Sequence, residues 1–196
     1  MKINIKQSTD KKLNFTLEDS NEKFSNALRR AILTEIPVLA IDEVTFFEND
    51  SGLYDEFIAH RLGLVPLEGD TKGMKFPDEC KCKGKGCSKC QIKFTLIKKG
   101  PSTVYSGDLK GPAKFGAVDE KIPITKLKED SKIKLEATAV LGKGKDHAKW
   151  QPGIVSYNYD KPEKINFKVE SHCGLKPKEM VLAGAKVLKE KTKKFP

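Results

Sequence analysis

The 196-residue chain carries 37 Lys+Arg against 27 Asp+Glu, a formal charge of +10, with 38% hydrophobic and 33% charged residues. That length suits one medium domain or two small ones, and the composition is polar without being that of a disordered chain. No apolar run approaches the ~20 residues of a membrane span. Met1 to Lys6 alternate apolar and polar residues where a signal peptide would be continuously apolar, so a cytoplasmic protein without membrane contact is expected.

The charge is uneven. Residues 1–66 hold 8 basic and 11 acidic residues, a net of −3, while residues 67–196 hold 29 and 16, a net of +13. A basic half points to an anionic neighbour, either nucleic acid or an acidic protein face. General decoration of the surface by lysine is the competing reading, since the lysines are scattered and not interleaved with aromatics. Arginine occurs only at Arg29, Arg30 and Arg61, against 34 lysines. Such restriction marks positions where a planar, bidentate guanidinium is required.

In chain order, Ile3 and Ile5, then Leu13, Phe15 and Leu17, alternate around a polar stretch and predict a β-hairpin. Asp19 precedes Glu22 by three residues, a capping-box start for a helix over 21–36 that carries Phe24, Ala27, Leu28, Ala31 and Ile32. Pro37 ends it, and Val38 to Phe46 predict a strand. A second helix is expected from Asp50 or Ser51, with Leu53, Phe57, Ile58 and Leu62 on one side and Gly63 closing it. From Glu68 to Gln91 the chain is rich in Lys, Gly and Cys and almost free of apolar residues, so it cannot join a core unless something else organises it. Alternation then predicts strands around Ile92–Leu96, Ile133–Leu135, Val155–Tyr159 and Ile165–Val169. A last helix over 178–192 has Pro177 in its first turn, an apolar stripe of Met180, Ala183, Gly184, Val187 and Leu188, and lysines in its last turn. The fold class is α+β with much antiparallel sheet. The small residues Ala27, Ala31, Ala183 and Gly184 allow close helix approach; pattern alone favours an ordinary core over a subunit boundary.

Cys80, Cys82, Cys87 and Cys90 form a C-x-C-x4-C-x2-C array within eleven positions. Two close thiolate pairs, with Gly84 and Gly86 between them to let the chain fold back, supply the four soft donors of a tetrahedral zinc site. Disulfides fit a cytoplasmic chain poorly, and the spacing differs from ferredoxin-type iron–sulfur runs. With sulfur in all four positions, the role is structural. No catalytic constellation stands out: His60, His147 and His172 are far apart, and His172-Cys173 are strand neighbours that point to opposite faces. Gly142-Lys143-Gly144-Lys145 leads to a polar loop and not to a helix, a poor phosphate grip.

The segment FSNALRRAIL at 24–33, followed by IPVLAIDEV at 36–44, and YDEFIAHRLGLVPL at 54–67 resemble the assembly subunit of cellular RNA polymerases. That family comprises the D-type polymerase subunit of archaea, the third-largest subunit of eukaryotic polymerase II and the bacterial α subunit. KDHAKWQP at 145–152 and the placement of the cysteine loop are similar to the archaeal and eukaryotic branch. The resemblance implies a discontinuous dimerisation domain, 1–42 with 160–196, and an insert domain, 43–159, holding the cysteine loop 80–90. It implies a non-catalytic subunit of DNA-directed RNA polymerase that pairs with subunit L through Phe24, Ala27, Leu28, Ala31, Ile32, Met180, Ala183, Gly184 and Val187. Arg29, Arg30, His60, Arg61, His147, Lys149 and Trp150 would contact the large catalytic subunits, with the small subunits N and P nearby and DNA met only within the holoenzyme. The sequence departs from the family twice. The loop is not the eukaryotic C-x-C-x3-C-x2-C. Many archaeal members also carry an extra cysteine-rich domain, whereas here only Cys173 follows Pro152, so no iron–sulfur cluster is expected. A free zinc-bearing nucleic-acid-binding protein is the alternative, resting on the +13 segment.

Overall fold

A computed structural model describes residues 1–83 and 85–194, with the side chain of Asp160 left out. Gly84, one of the two glycines expected to turn the cysteine loop, lies outside the described residues. The chain divides into two compact units, residues 1–38 with 143–196, and residues 39–142. The discontinuous unit holds 20 basic against 11 acidic residues, a net of +9, and the continuous unit 17 against 16, a net of +1. The basic excess therefore belongs to the unit built from both chain ends rather than to the C-terminal two thirds as such.

In the discontinuous unit, β1 (Lys2–Ser8) and β2 (Lys12–Glu18) form the expected hairpin, and β10 (Gly153–Lys161) and β11 (Lys164–Ser171) form another. The sheet order is β1-β2-β11-β10, with antiparallel pairing throughout. Because β10 pairs with β11 from Gly153 to Lys161, residues 143–159 join this unit, where the insert domain was expected to run to 159. Helices α1 (Glu22–Glu35) and α3 (Pro177–Thr192) pack on each other and cover one sheet face. Leu13, Phe15, Leu17, Ile165, Phe167 and Val169 meet Leu28, Ile32, Ile36 and Met180 there. Phe15 and Phe167, paired across the strands, stack with centroids 5.0 Å apart. Each buried aromatic of this kind contributes about 1.5–3 kcal/mol. Asn21, and not Asp19, caps α1: its Oδ1 accepts from the Phe24 backbone N–H at 2.9 Å, while Asp19 takes a left-handed φ of 55°.

The second unit gathers Leu39, Ile41, Ile58, Leu62, Phe94, Leu96, Ile124, Ile133 and Leu135 into its own core. Its main sheet has the order β3 (Pro37–Asn49), β9 (Lys132–Lys143), β5 (Gln91–Lys99). Two short antiparallel pairs accompany it: β4 (Leu67–Gly69) with β7 (Phe115–Ala117), and β6 (Ser102–Tyr105) with β8 (Pro123–Leu127). Helix α2 spans Asp55–Gly63, starting five residues later than Asp50. Residues 50–54 form a loop instead, tied to the end of β3, where Asn49 Oδ1 accepts from the Ser51 backbone N–H (3.1 Å) and hydroxyl (2.7 Å). Ile58 and Leu62 are fully buried, but Phe57, expected on the buried side, is 60% exposed. Among the described residues no helix is long and apolar enough to cross a membrane.

Candidate metal centre and docking surfaces

The cysteine array is held by three short-range backbone hydrogen bonds. Lys83 N–H donates to the Cys80 carbonyl (3.0 Å), Lys85 N–H to that of Cys82 (3.2 Å), and Cys90 N–H to that of Cys87 (3.0 Å). Lys83 (φ 52°) and Gly86 (φ 83°) take left-handed conformations. A Cβ on Gly86 would lie 2.4 Å from Gln91 Oε1, so glycine is needed for space as well as for φ. The four Sγ atoms lie within 4.8 Å of one another, with Cys80–Cys87 and Cys82–Cys90 at 3.5 Å and Cys87–Cys90 at 3.8 Å. A tetrahedron with metal–sulfur bonds of about 2.3 Å has edges of about 3.8 Å, so these three separations lie within about 0.3 Å of those a zinc-sized ion requires. Cys87 N–H also donates to Cys90 Sγ (3.3 Å), the kind of bond that supports a thiolate.

The thiols differ in acidity. Hydrogen bonding, from Cys80 foremost, lowers Cys82 to about 7, while burial pushes Cys90 up to about 12. Four adjacent thiols cannot all ionise alone, and a bound cation removes that conflict. All four donors converge on one point, which suits a structural centre. Cys173 stands apart, half-buried, its thiol raised by burial.

Of the nine residues expected to meet a partner through the helices, five face inward. Leu28, Ala31, Ile32 and Met180 are at most 5% exposed and Gly184 is buried, all within the chain's own core. Side chains enclosed between α1 and α3 in this way present little surface of their own. Gly184 is the point of closest approach: a Cβ there would lie 2.5 Å from Ile32 Cγ1. Phe24 remains exposed, and Ala27, Ala183 and Val187 half-buried.

The apolar surface that sequence reading missed lies on β1. Ile3 pairs with Leu17 and Ile5 with Phe15, so both isoleucines project from the sheet face that carries the core. Leu17 and Phe15 are 2% and 3% exposed, whereas Ile3 and Ile5 are 63% and 52% exposed. The register of the hairpin was the available signal, because opposed residues share a face.

The three arginines are placed differently. Arg29 is half-buried, with Nη2 donating to Asn26 Oδ1 (3.1 Å), and Arg30 is exposed. In the second unit, Arg61 Nη1 donates to the Ile124 carbonyl (2.7 Å) and His60 is exposed. In the 145–152 loop, His147 Nδ1 accepts from the Lys149 backbone N–H (3.0 Å), and Lys149 Nζ lies 4.4 Å from the Trp150 ring centroid. The His147 and Trp150 rings meet edge to face at 6.4 Å. The neighbouring Gly142–Lys145 segment is structural: Lys145 N–H donates to the Thr34 carbonyl (3.1 Å), and a Cβ on Gly144 would lie 2.0 Å from the Leu33 carbonyl oxygen.

Residues 40–156 match the family described as the RNA polymerase Rpb3/RpoA insert domain. Relatives named DNA-directed RNA polymerase subunit Rpo3 occur in Methanothermobacter thermautotrophicus (45% identical over 165 residues, 81% of this chain and 62% of the relative) and Methanopyrus kandleri (45% over 169 residues, 81% and 61%). A third, from Methanosarcina acetivorans, is 37% identical over 198 residues, covering 97% of this chain and 74% of the relative. The chain spans about three fifths of the length of the first two. Sequence matches of this extent, over an α+β chain with the expected cysteine loop, place the chain in the archaeal RNA polymerase Rpo3 family.

Proposed function

We propose that the chain is a non-catalytic assembly subunit of a DNA-directed RNA polymerase. Its discontinuous unit pairs with a small L-type subunit, and the heterodimer forms a platform for the small subunits N and P and the large catalytic subunits. The observation that carries this reading is the uncovered row Ile3–Ile5, an open continuation of the core beside β2. Exposed apolar surface in line with a core is what a permanent partner covers. With the five inward-facing residues set aside, the pairing surface comprises Ile3, Ile5, Phe24, Ala27, Ala183 and Val187. Arg29, Arg30, His60, Arg61, His147, Lys149 and Trp150 are assigned to large-subunit contacts. Nucleotidyl transfer belongs to the holoenzyme, and DNA is met only there. The cysteine quartet holds one structural zinc ion, whose bonds to sulfur would organise a loop with almost no apolar residues of its own.

The test is native mass spectrometry of the chain purified gently through a tag from its own cell. Recovery in a multi-subunit particle, with a small partner at one-to-one and one zinc per chain, is the expected result. Recovery alone, or with nucleic acid only, would overturn the reading in favour of a free nucleic-acid-binding protein.

A further inference from the structure

In the second unit, a cleft of about 610 Å³ opens between the loop before α2 and strands β6 and β8. Leu53, Pro123 and Leu127 give it an apolar lining, and Arg61, Lys126 and Lys128 are its charged residues. No carboxylate lines it, although the unit as a whole is nearly neutral, and neither lysine forms an ion pair among the described residues. Both lysines are exposed.

The adjoining face of α2 is apolar and uncovered. At 100° per residue, Tyr54, Phe57, His60, Arg61 and Leu64 share one side of the helix, away from the buried Ile58 and Leu62. Tyr54, Phe57 and Leu64 are 77%, 60% and 51% exposed. Asp55 and Glu56 fall outside that stripe. Two aromatics, a leucine and an arginine beside an apolar cleft are the composition of an interface centre. Three cations in a lining that holds no carboxylate select an acidic occupant.

We infer that this cleft and the outer face of α2 together bind an extended acidic segment with a large apolar side chain. The apolar residue enters between Leu53 and Leu127 while flanking carboxylates meet Arg61, Lys126 and Lys128. The proposal rests on the polymerase reading, which makes the occupant a segment of a large subunit.

The test uses polymerase reconstituted with this chain carrying the photo-crosslinking residue p-benzoylphenylalanine in place of Thr103, which lines the cleft, or of Lys128 on its rim. Mapping the adduct by mass spectrometry should give a large-subunit peptide of net negative charge containing a large apolar residue. The charge reversal Lys126→Glu/Lys128→Glu should lower the yield of assembled polymerase at least tenfold and leave the melting temperature of the free chain unchanged. A crosslink to a basic or uncharged segment, to nucleic acid or to a second copy of the chain would overturn the proposal. So would an incorporated chain that crosslinks to nothing. Failure of the unsubstituted chain to enter polymerase would instead refute the subunit assignment.

Discussion

Replacing Gly184 by alanine isolates the contact on which the two-helix layer depends. The new Cβ would stand 2.5 Å from Ile32 Cγ1, about 1 Å inside a comfortable carbon–carbon contact. Ile32 is fully buried and cannot swing out to solvent. Either α1 and α3 separate or Ile32 leaves its rotamer, at a cost of about 1–3 kcal/mol. Against this, alanine improves helix propensity by about 1 kcal/mol over glycine. The expected net is a loss of about 1 kcal/mol, lowering the melting temperature by about 2–4 °C for a chain of this size. The background decides the cause. In Ile32→Ala the obstructing atom is gone, so Gly184→Ala should then stabilise, by up to about 1 kcal/mol. Thermal melts followed by circular dichroism on the four proteins of this cycle measure the reversal of sign. A gain from Gly184→Ala with Ile32 present, or the same loss in both backgrounds, would refute the close-contact reasoning.

Gly144→Ala should be more damaging, since its Cβ would meet a backbone oxygen at 2.0 Å: a loss above about 2 kcal/mol is expected, and a melting shift under about 1 °C would count against it. Cys90→Ser should reduce bound zinc, measured by plasma mass spectrometry, from about one per chain to near zero. It should also raise protease cleavage within residues 70–90 at least tenfold without opening β5. Glu35 accepts from Lys191 at 2.5 Å, which, with help from Lys143 and Lys145, holds its carboxyl below the usual value of 4.5. A lowered carboxyl pKa stabilises the fold above 4.5, and that contribution is lost as pH falls through the folded value. The stability gap between the native chain and Glu35→Gln, about 1 kcal/mol or less, should therefore close on acidification, as urea titrations at several pH values would measure. Ile3→Ser/Ile5→Ser should cost the free chain about 1 kcal/mol or less while weakening capture of the small partner at least tenfold in a pull-down; equal capture would remove β1 from the pairing surface.

Much of the architecture was legible where a period ran long enough to read. The hairpin of Ile3 to Leu17, the α1 stripe and the Pro177 start of α3 all came from local rules that tertiary packing left in force. The cysteine quartet was legible because four thiols within eleven positions of chain cannot lie far apart in space. Helix α2 was misplaced because Leu53 packs on the core from a loop, and so imitates the spacing of Ile58 and Leu62. Asp19 and Glu22 match a capping box, yet the left-handed turn at Asp19 hands the role to Asn21 two residues later. Strands β4 and β7 have three residues each, too few for alternation to show. For the surfaces the limit was different. Whether a small residue on an apolar stripe faces its own core or a partner depends on which element lies opposite, and a single helix does not carry that information.

The pairing of β2 with β11 has a consequence in time. Phe15 and Phe167 stack as neighbours but are separated by roughly 150 positions of chain. At ribosomal rates of about 5–20 residues per second, the N-terminal hairpin must wait roughly 8–30 s for its companion strand. Throughout that interval Leu13, Phe15 and Leu17 have only Leu28, Ile32 and Ile36 of α1 to pack on and lack their partners from β11 and α3, while residues 39–142 emerge whole and can close around their own core. The newborn chain is therefore most vulnerable to aggregation at its first twenty residues. A chaperone that protects it would do so by holding that hairpin until the last helix arrives.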